Sequence, residues 1–175
     1  MIPAMLPTWL HLDALAITVL ALVTAQRLGE LAYARVNEAR LRRIGGVEHG
    51  AAHYPAIVAL HAAWLAGLWI AASGTHPHYG WLALFLVLQG LRVWILGTLG
   101  ARWSTRVIVL PGTPPICRGP YRFLSHPNYA VVIAEIFVLP MAFGLVGYAL
   151  VFSLLNAAIL AVRIRVENAA LLATR

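Results

Sequence analysis

The chain has no lysine. All 13 of its basic residues are arginine, and only 6 acidic residues stand against them. Charged side chains fill 11% of the 175 positions, against roughly 25% in an ordinary soluble domain, and that shortage excludes a soluble globule. A single cysteine, Cys117, rules out an intramolecular disulfide and barely constrains the redox compartment. No positioned base accompanies that thiol, so thiol catalysis is not expected. The 7 histidines are scattered, and no His, Cys or carboxylate cluster has ligand spacing, so no metal site is expected. No Gly-x-Gly-x-x-Gly follows a strand pattern and there is no P-loop, which excludes a soluble Rossmann-type nucleotide domain. Internal repeats and low-complexity segments are absent as well.

In place of charge the sequence has long apolar runs. It is 61% hydrophobic, with a mean hydropathy of +0.80. Several stretches of about 20 residues are almost uncharged, the length that crosses roughly 30 Å of hydrocarbon. A single integral-membrane domain over residues 1–175 is expected. Five spans are predicted: about Trp9 to Tyr33, Tyr54 to Ser73, Tyr79 to Leu99, Asn128 to Leu145 and Gly147 to Arg165. Pro55 opens the second, and Pro140 is expected to bend the fourth. The first run has no basic residue before it and carries Asp13 near its start, so it reads as a membrane helix and not as a cleaved signal peptide.

The arginines fix an expected orientation. Residues 34–53 hold Arg35, Arg40, Arg42 and Arg43; residues 100–127 hold Arg102, Arg106, Arg118 and Arg122; the end holds Arg163, Arg165 and Arg175. The loops at 74–78 and around Gly144 to Gly147 hold none. Every basic residue except Arg92 is thus expected at one face, and the positive-inside rule puts that face in the cytoplasm. The net charge of +7 then reflects cytoplasmic loops, and no nucleic acid partner is expected. The fold class is an all-α bundle of five transmembrane helices, N-terminus outside and C-terminus cytoplasmic, with helices four and five a tight hairpin.

Four constellations carry chemistry. The first is the run from Gly119 to Tyr129, with Gly119-Pro120, Tyr121, Arg122 and Ser125-His126-Pro127-Asn128-Tyr129. Ser125 can cap a helix whose first turn contains Pro127, and His126 and Tyr129 share a face. A nucleotide-like cofactor suits such a helix start: Tyr121 or Tyr129 can stack on an adenine, and His126 can bond its polar groups. An interfacial aromatic belt is the structural alternative, but it does not account for consecutive His-Pro-Asn-Tyr. The second is Arg163 and Glu167, four apart on one helix face, with Asn168 beside them; a helix-end ion pair is the alternative. The hairpin brings this pair to the depth of His126. The third is Arg92 with Glu135, each about 10 Å below the same surface at roughly 1.5 Å per residue. Intramembrane charges pair, and they line pathways; Gln89 and Asn156 join them as intramembrane polar residues. The fourth is Arg102-Trp103-Ser104-Thr105-Arg106, followed by a short extended or re-entrant piece over Val107 to Leu110. It can close over a cofactor or anchor at the interface.

These residues resemble the integral-membrane methyltransferases related to isoprenylcysteine carboxyl methyltransferase. The family pattern runs Gly-x-Tyr, then Arg-His-Pro-x-Tyr, then a helical hairpin, then Arg with a Glu-Glu pair four and five residues on. Gly119, Tyr121, His126, Pro127, Tyr129, Arg163 and Glu167 meet it. The likeness covers roughly residues 100 to 172, with weaker agreement from Glu48 to His61. Ser125, Val131 and Asn168 depart from it, standing where Arg, a small Gly and the second Glu are usual. The chain most resembles a short bacterial branch whose members look like O-methyltransferases of alkylpyrone-type lipids.

The resemblance implies S-adenosylmethionine as cofactor, entering from the cytosol, and a lipophilic small-molecule acceptor entering from the bilayer. It implies a bacterial inner membrane with the active site facing the cytoplasm. Tyr121, His126, Pro127, Asn128, Tyr129, Glu167 and Asn168 are then the expected cofactor-binding residues. Arg163 and Glu167 are the expected catalytic pair, and Arg92, Glu135, Asn156 and Arg163 line the acceptor path. Two rival enzymes share parts of the pattern: an NADPH-dependent membrane reductase, with Arg102, Arg106 and Arg122 for the 2′-phosphate, and a phospholipid N-methyltransferase. A non-catalytic membrane scaffold is the third rival.

Overall fold

The computed structural model describes residues 13–173. The expected start of the first span at Trp9, and Arg175, lie outside them. Five helices follow in order: α1 (Ala14–Arg43), α2 (Tyr54–Ala71), α3 (Tyr79–Leu99), α4 (Pro127–Ala142) and α5 (Val146–Ala173). The α1, α2, α3 and α5 helices are long and apolar enough to cross a membrane; α4 is apolar but shorter, at 16 residues. The protein is an integral membrane protein with a mostly helical fold.

Two helices outrun the expected spans. Asp13 starts α1 by accepting a 2.7 Å hydrogen bond from the Leu15 backbone N–H. The helix then continues ten residues past Tyr33. The stretch that looked like an arginine-rich loop is amphipathic: Ala34, Asn37, Glu38 and Leu41 are buried at helical spacing, while Arg35, Arg40, Arg42 and Arg43 point out. The α5 helix likewise carries Arg163, Glu167 and Asn168 inside it and not at its end. At roughly 1.5 Å per residue these helices measure about 45 and 42 Å, longer than roughly 30 Å of hydrocarbon, so their ends stand beyond it as walls.

Between those walls sits the one departure from an all-α fold among the described residues. Two short strands, β1 (Val47–His49) and β2 (Val107–Val109), pair antiparallel with Val47 opposite Val109. The extended piece expected after Arg106 is thus a strand, and its partner comes from the α1–α2 connection. The pair is cross-braced by Glu48, which bonds Arg42 and lies 2.5 Å from Arg106 Nη1.

The apolar core joins α1 to α4 through Leu20, Trp64, Leu68, Phe85, Ile136 and Leu139. Tyr148 of α5 reaches α2 and donates to the Trp64 carbonyl at 2.6 Å. The approach works because Gly67 has no side chain: a Cβ there would sit 2.3 Å from the Tyr148 hydroxyl. On the other flank Gly119 holds a positive φ of 56° in a 3-10 turn pressed on α3, and a Cβ there would meet Thr98 Oγ1 at 2.5 Å. That close turn aims Tyr121 and the start of α4 into the space between the walls.

Candidate active site

The helix start that carries the site is built without the expected cap. His126, not Ser125, is the N-cap residue; Pro127 follows at the first helical position and Ser125 is exposed. The imidazole is drawn away from its own backbone by α5. His126 Nε2 lies 3.0 Å from Asn168 Oδ1, and Nδ1 lies 3.8 Å from Glu167. Its ring stacks on Tyr129 with centroids 5.2 Å apart, as the three-residue spacing predicts.

Arg163 and Glu167 share a face but do not pair directly. Tyr129 stands between them. Arg163 Nε donates to the Tyr129 hydroxyl at 2.8 Å, and that hydroxyl donates to Glu167. The guanidinium also covers the Tyr129 ring at 5.5 Å. Arg163 is 7% exposed and forms no ion pair among the described residues. A buried guanidinium with donors to spare is a site for an oxyanion.

Two cavities meet at this cluster. One, of about 220 Å³, opens between β2, the 110–116 segment, Ser125 and His126 at the entrance to α4, and Glu167 of α5. The other, of about 320 Å³, lies among α1, α2, α4 and α5 and is walled mostly by apolar side chains such as Leu31, Ile57, Leu65 and Val132. Trp103, Ser104, Asn128, Tyr129 and Arg163 line both. Asn128 Oδ1 is buried there and accepts no hydrogen bond among the described residues. Burial, with Glu167 nearby, pushes the Tyr121 phenol up, so it stays neutral on the first cavity's wall.

The intramembrane pair exists within a larger group. Arg92 Nη1 donates to Glu135 at 2.8 Å, while its Nε and Nη2 grip Glu30 at 2.5 and 2.6 Å. Arg27 bridges the same two carboxylates, at 3.1 Å to Glu30 and 2.8 Å to Glu135, and Gln89 adds a 2.8 Å bond to Glu135. Arg92 is therefore not the sole arginine away from the basic face. Because α1 runs on to Arg43, Arg27 falls in mid-helix beside it. Arg27 and Arg92 touch the second cavity; Glu135 is buried behind them, and Asn156, also buried, lies on neither cavity's wall.

Sequence reading missed how the Arg102 to Arg106 segment is held. Asn37 donates to the carbonyls of Gly100 and Trp103 at 3.2 and 3.0 Å. Glu38 accepts from Ser104 Oγ at 2.9 Å, and from the Thr105 backbone and hydroxyl at 3.1 and 3.0 Å. The only signal for either residue was their place on a buried stripe of α1, hidden by the arginines around them. A helix clamp thus fixes Trp103 and Ser104 on the wall between the cavities.

Fold and site together define a membrane-embedded protein in which a polar cleft at the end of the bundle abuts an apolar chamber within it. A model of the isoprenylcysteine carboxyl methyltransferase (ICMT) family matches residues 81–173. The uncharacterized protein YpbQ of Bacillus subtilis is 39% identical over 157 residues, which cover 87% of this chain and 94% of that protein. No solved structure matches the chain. The protein belongs to the isoprenylcysteine carboxyl methyltransferase family of membrane methyltransferases.

Proposed function

We propose that the protein transfers a methyl group from S-adenosylmethionine to an oxygen, carboxylate or hydroxyl, of a lipophilic acceptor held in the membrane. The observation that carries this reading is the wall shared by a polar cleft and an apolar chamber. Methyl transfer between a water-soluble donor and a lipid needs two reactants of opposite polarity brought together and shielded from water. The chamber's outward-facing lining residues, Leu28 and Val58, come from α1 and α2, which suits an acceptor arriving from the bilayer.

The cleft residues fit the cofactor. Tyr121 offers an aromatic wall for the adenine, whereas Tyr129 is covered by His126 and Arg163. Glu167 supplies an acceptor for amino and hydroxyl groups, and Asn128 Oδ1, without a partner among the described residues, supplies another on the shared wall. Asn168 lines neither cavity and meets His126 from outside. S-adenosylmethionine, once bound, supplies an electrophilic methyl group on a sulfonium. The chain's own task is positional and electrostatic. Arg163 holds the anionic acceptor oxygen at the wall; Tyr129 fixes that guanidinium; Trp103, clamped through Asn37, helps to exclude water. The basic face, with the cleft, is assigned to the cytoplasm of a bacterial inner membrane, N-terminus outside.

The reductase alternative asks for three free arginines. Arg106 is engaged by Glu48, Arg102 donates to the Pro114 carbonyl at 2.9 Å, and Arg122 lies over Phe123. Calorimetry on detergent-purified protein separates the two. S-adenosylmethionine and its demethylated product should bind with micromolar affinity and NADPH should not, and Glu167→Ala should abolish the binding. Binding of NADPH alone would overturn the assignment.

A further inference from the structure

The contact pattern around Tyr129 has more parts than cofactor binding or oxyanion binding requires. The Tyr129 hydroxyl receives a proton donor on one side, Arg163 Nε at 2.8 Å, and gives its own proton to Glu167 on the other. Glu167 lies 3.8 Å from His126 Nδ1, and the far nitrogen of that ring lies 3.0 Å from Asn168 Oδ1. Tyr129 lines both cavities, Glu167 and His126 line only the cleft, and Asn168 is exposed. Three titratable groups therefore form one line from the wall where an acceptor would react to the mouth of the cleft.

We propose that Tyr129 takes the proton of a hydroxyl acceptor and that Glu167 and His126 carry it to the surface. The proposal rests on the methyltransferase reading above. A carboxylate acceptor is ionised at neutral pH and gives this line nothing to carry. A weakly acidic hydroxyl must lose its proton as the new bond forms, and it does so poorly in an apolar chamber without a base. The balance is complete without an outside reagent. The acceptor's O–H bond breaks and its oxygen gains the methyl; the S–CH3 bond breaks with its electron pair left on sulfur, as a neutral thioether. The released proton passes to the Tyr129 oxygen as Tyr129's own proton passes to the Glu167 carboxylate, and then to His126 and water. Arg163 serves this step twice, by steadying the phenolic oxygen and by stabilising negative charge on it.

The test uses two probes of one shape, 4-dodecylphenol and 4-dodecyl-2-nitrophenol, with S-adenosylmethionine and full-length protein in detergent. The first holds its proton at neutral pH, as a phenol with a pKa of about 10 does; the nitro group makes the second ionise near neutrality. Tyr129→Phe should lose on the order of 10²–10⁴-fold in kcat/KM on the dodecylphenol, the usual range for general-base catalysis. The loss on the nitrophenol should be at least tenfold smaller, because that acceptor arrives ionised and the variant then costs it only the support that the Tyr129 hydroxyl gives Arg163. In the wild type, heavy water should slow the dodecylphenol reaction and leave the nitrophenol reaction almost unchanged, a comparison that needs no variant to fold. Equal losses on both phenols, equal isotope effects, or no transfer to either phenol by protein that binds S-adenosylmethionine would each overturn the relay and leave the methyltransferase reading standing. Wild-type protein that binds no S-adenosylmethionine would remove the reading and the relay together.

Discussion

Two polar clusters share this bundle, and they differ in how their charges are paired. The intramembrane cluster holds two guanidiniums, Arg27 and Arg92, against two carboxylates, Glu30 and Glu135, with Gln26 and Gln89 filling further oxygen positions. Its charges sum to zero and α1, α3 and α4 each contribute. The cleft cluster holds one guanidinium, Arg163, whose contact is a phenol, and beside it a buried amide oxygen of Asn128 with no partner among the described residues. In a low-dielectric setting an unsatisfied polar group is costly. Every guanidinium and carboxylate of the first cluster meets an opposite charge directly, although Arg27 Nε and Gln89 Oε1 stay buried without a partner among the described residues, and so it works as a pin between helices. The second leaves its guanidinium without a carboxylate contact, which is what a site awaiting a ligand does.

The sharpest way to break the contrast is to unbalance the pin. Arg92→Leu leaves Glu30 and Glu135, the latter 1% exposed, facing each other with Arg27 alone between them. The loss should be about 3–5 kcal/mol, the cost of orphaning a buried charge, read as a large drop in thermal midpoint in detergent. Arg92→Leu combined with Glu30→Leu restores neutrality and should recover more than half of that loss. A double variant no more stable than the single one would show that the pin is not held by charge balance.

Arg163→Ala should give the complementary result. Its guanidinium has no carboxylate to orphan, so thermal stability should fall far less than in Arg92→Leu. Methyl transfer should drop by about 10²–10³-fold, the effect of removing one oxyanion donor. An assay with fixed S-adenosylmethionine and varied acceptor checks it. A stability loss as large as that of Arg92→Leu would merge the two clusters into one structural network and sink the distinction.

The two clusters were not equally legible in the sequence. His126, Tyr129, Arg163 and Glu167 could be placed together because local rules suffice: a three-residue spacing, a four-residue spacing and a short hairpin. Their wiring was not visible, since nothing in the sequence says that Tyr129 intervenes between Arg163 and Glu167, or that His126 takes the cap position from Ser125. The Arg92–Glu135 pair could be matched by depth alone. Its completion by Arg27 and Glu30 depended on where α1 ends, and arginines on the outer face of residues 35–43 disguised a continuing helix as a loop. The same error hid Asn37 and Glu38. Hydropathy marks where a helix crosses lipid, and it does not register a helix that continues into water with a buried stripe.

The smallest expected effect sharpens the comparison at the cleft's own frame. Glu48 joins β1 to both Arg106 and Arg42. Burial raises the proton affinity of this carboxyl, but the two guanidiniums outweigh it and hold its pKa below the ordinary 4.5. A depressed folded-state pKa means that Glu48 contributes its full stabilisation above pH 4.5 and loses it as the pH falls through the folded value. Backbone amides of β1 and β2, after correction for intrinsic rates, should therefore lose exchange protection as the pH is lowered from 5 toward 3. Glu48→Gln should lack that dependence. Protection that faded equally in Glu48→Gln would show that this carboxylate does not brace the strands, and the frame of the cleft would then rest on the pairing of β1 with β2 alone.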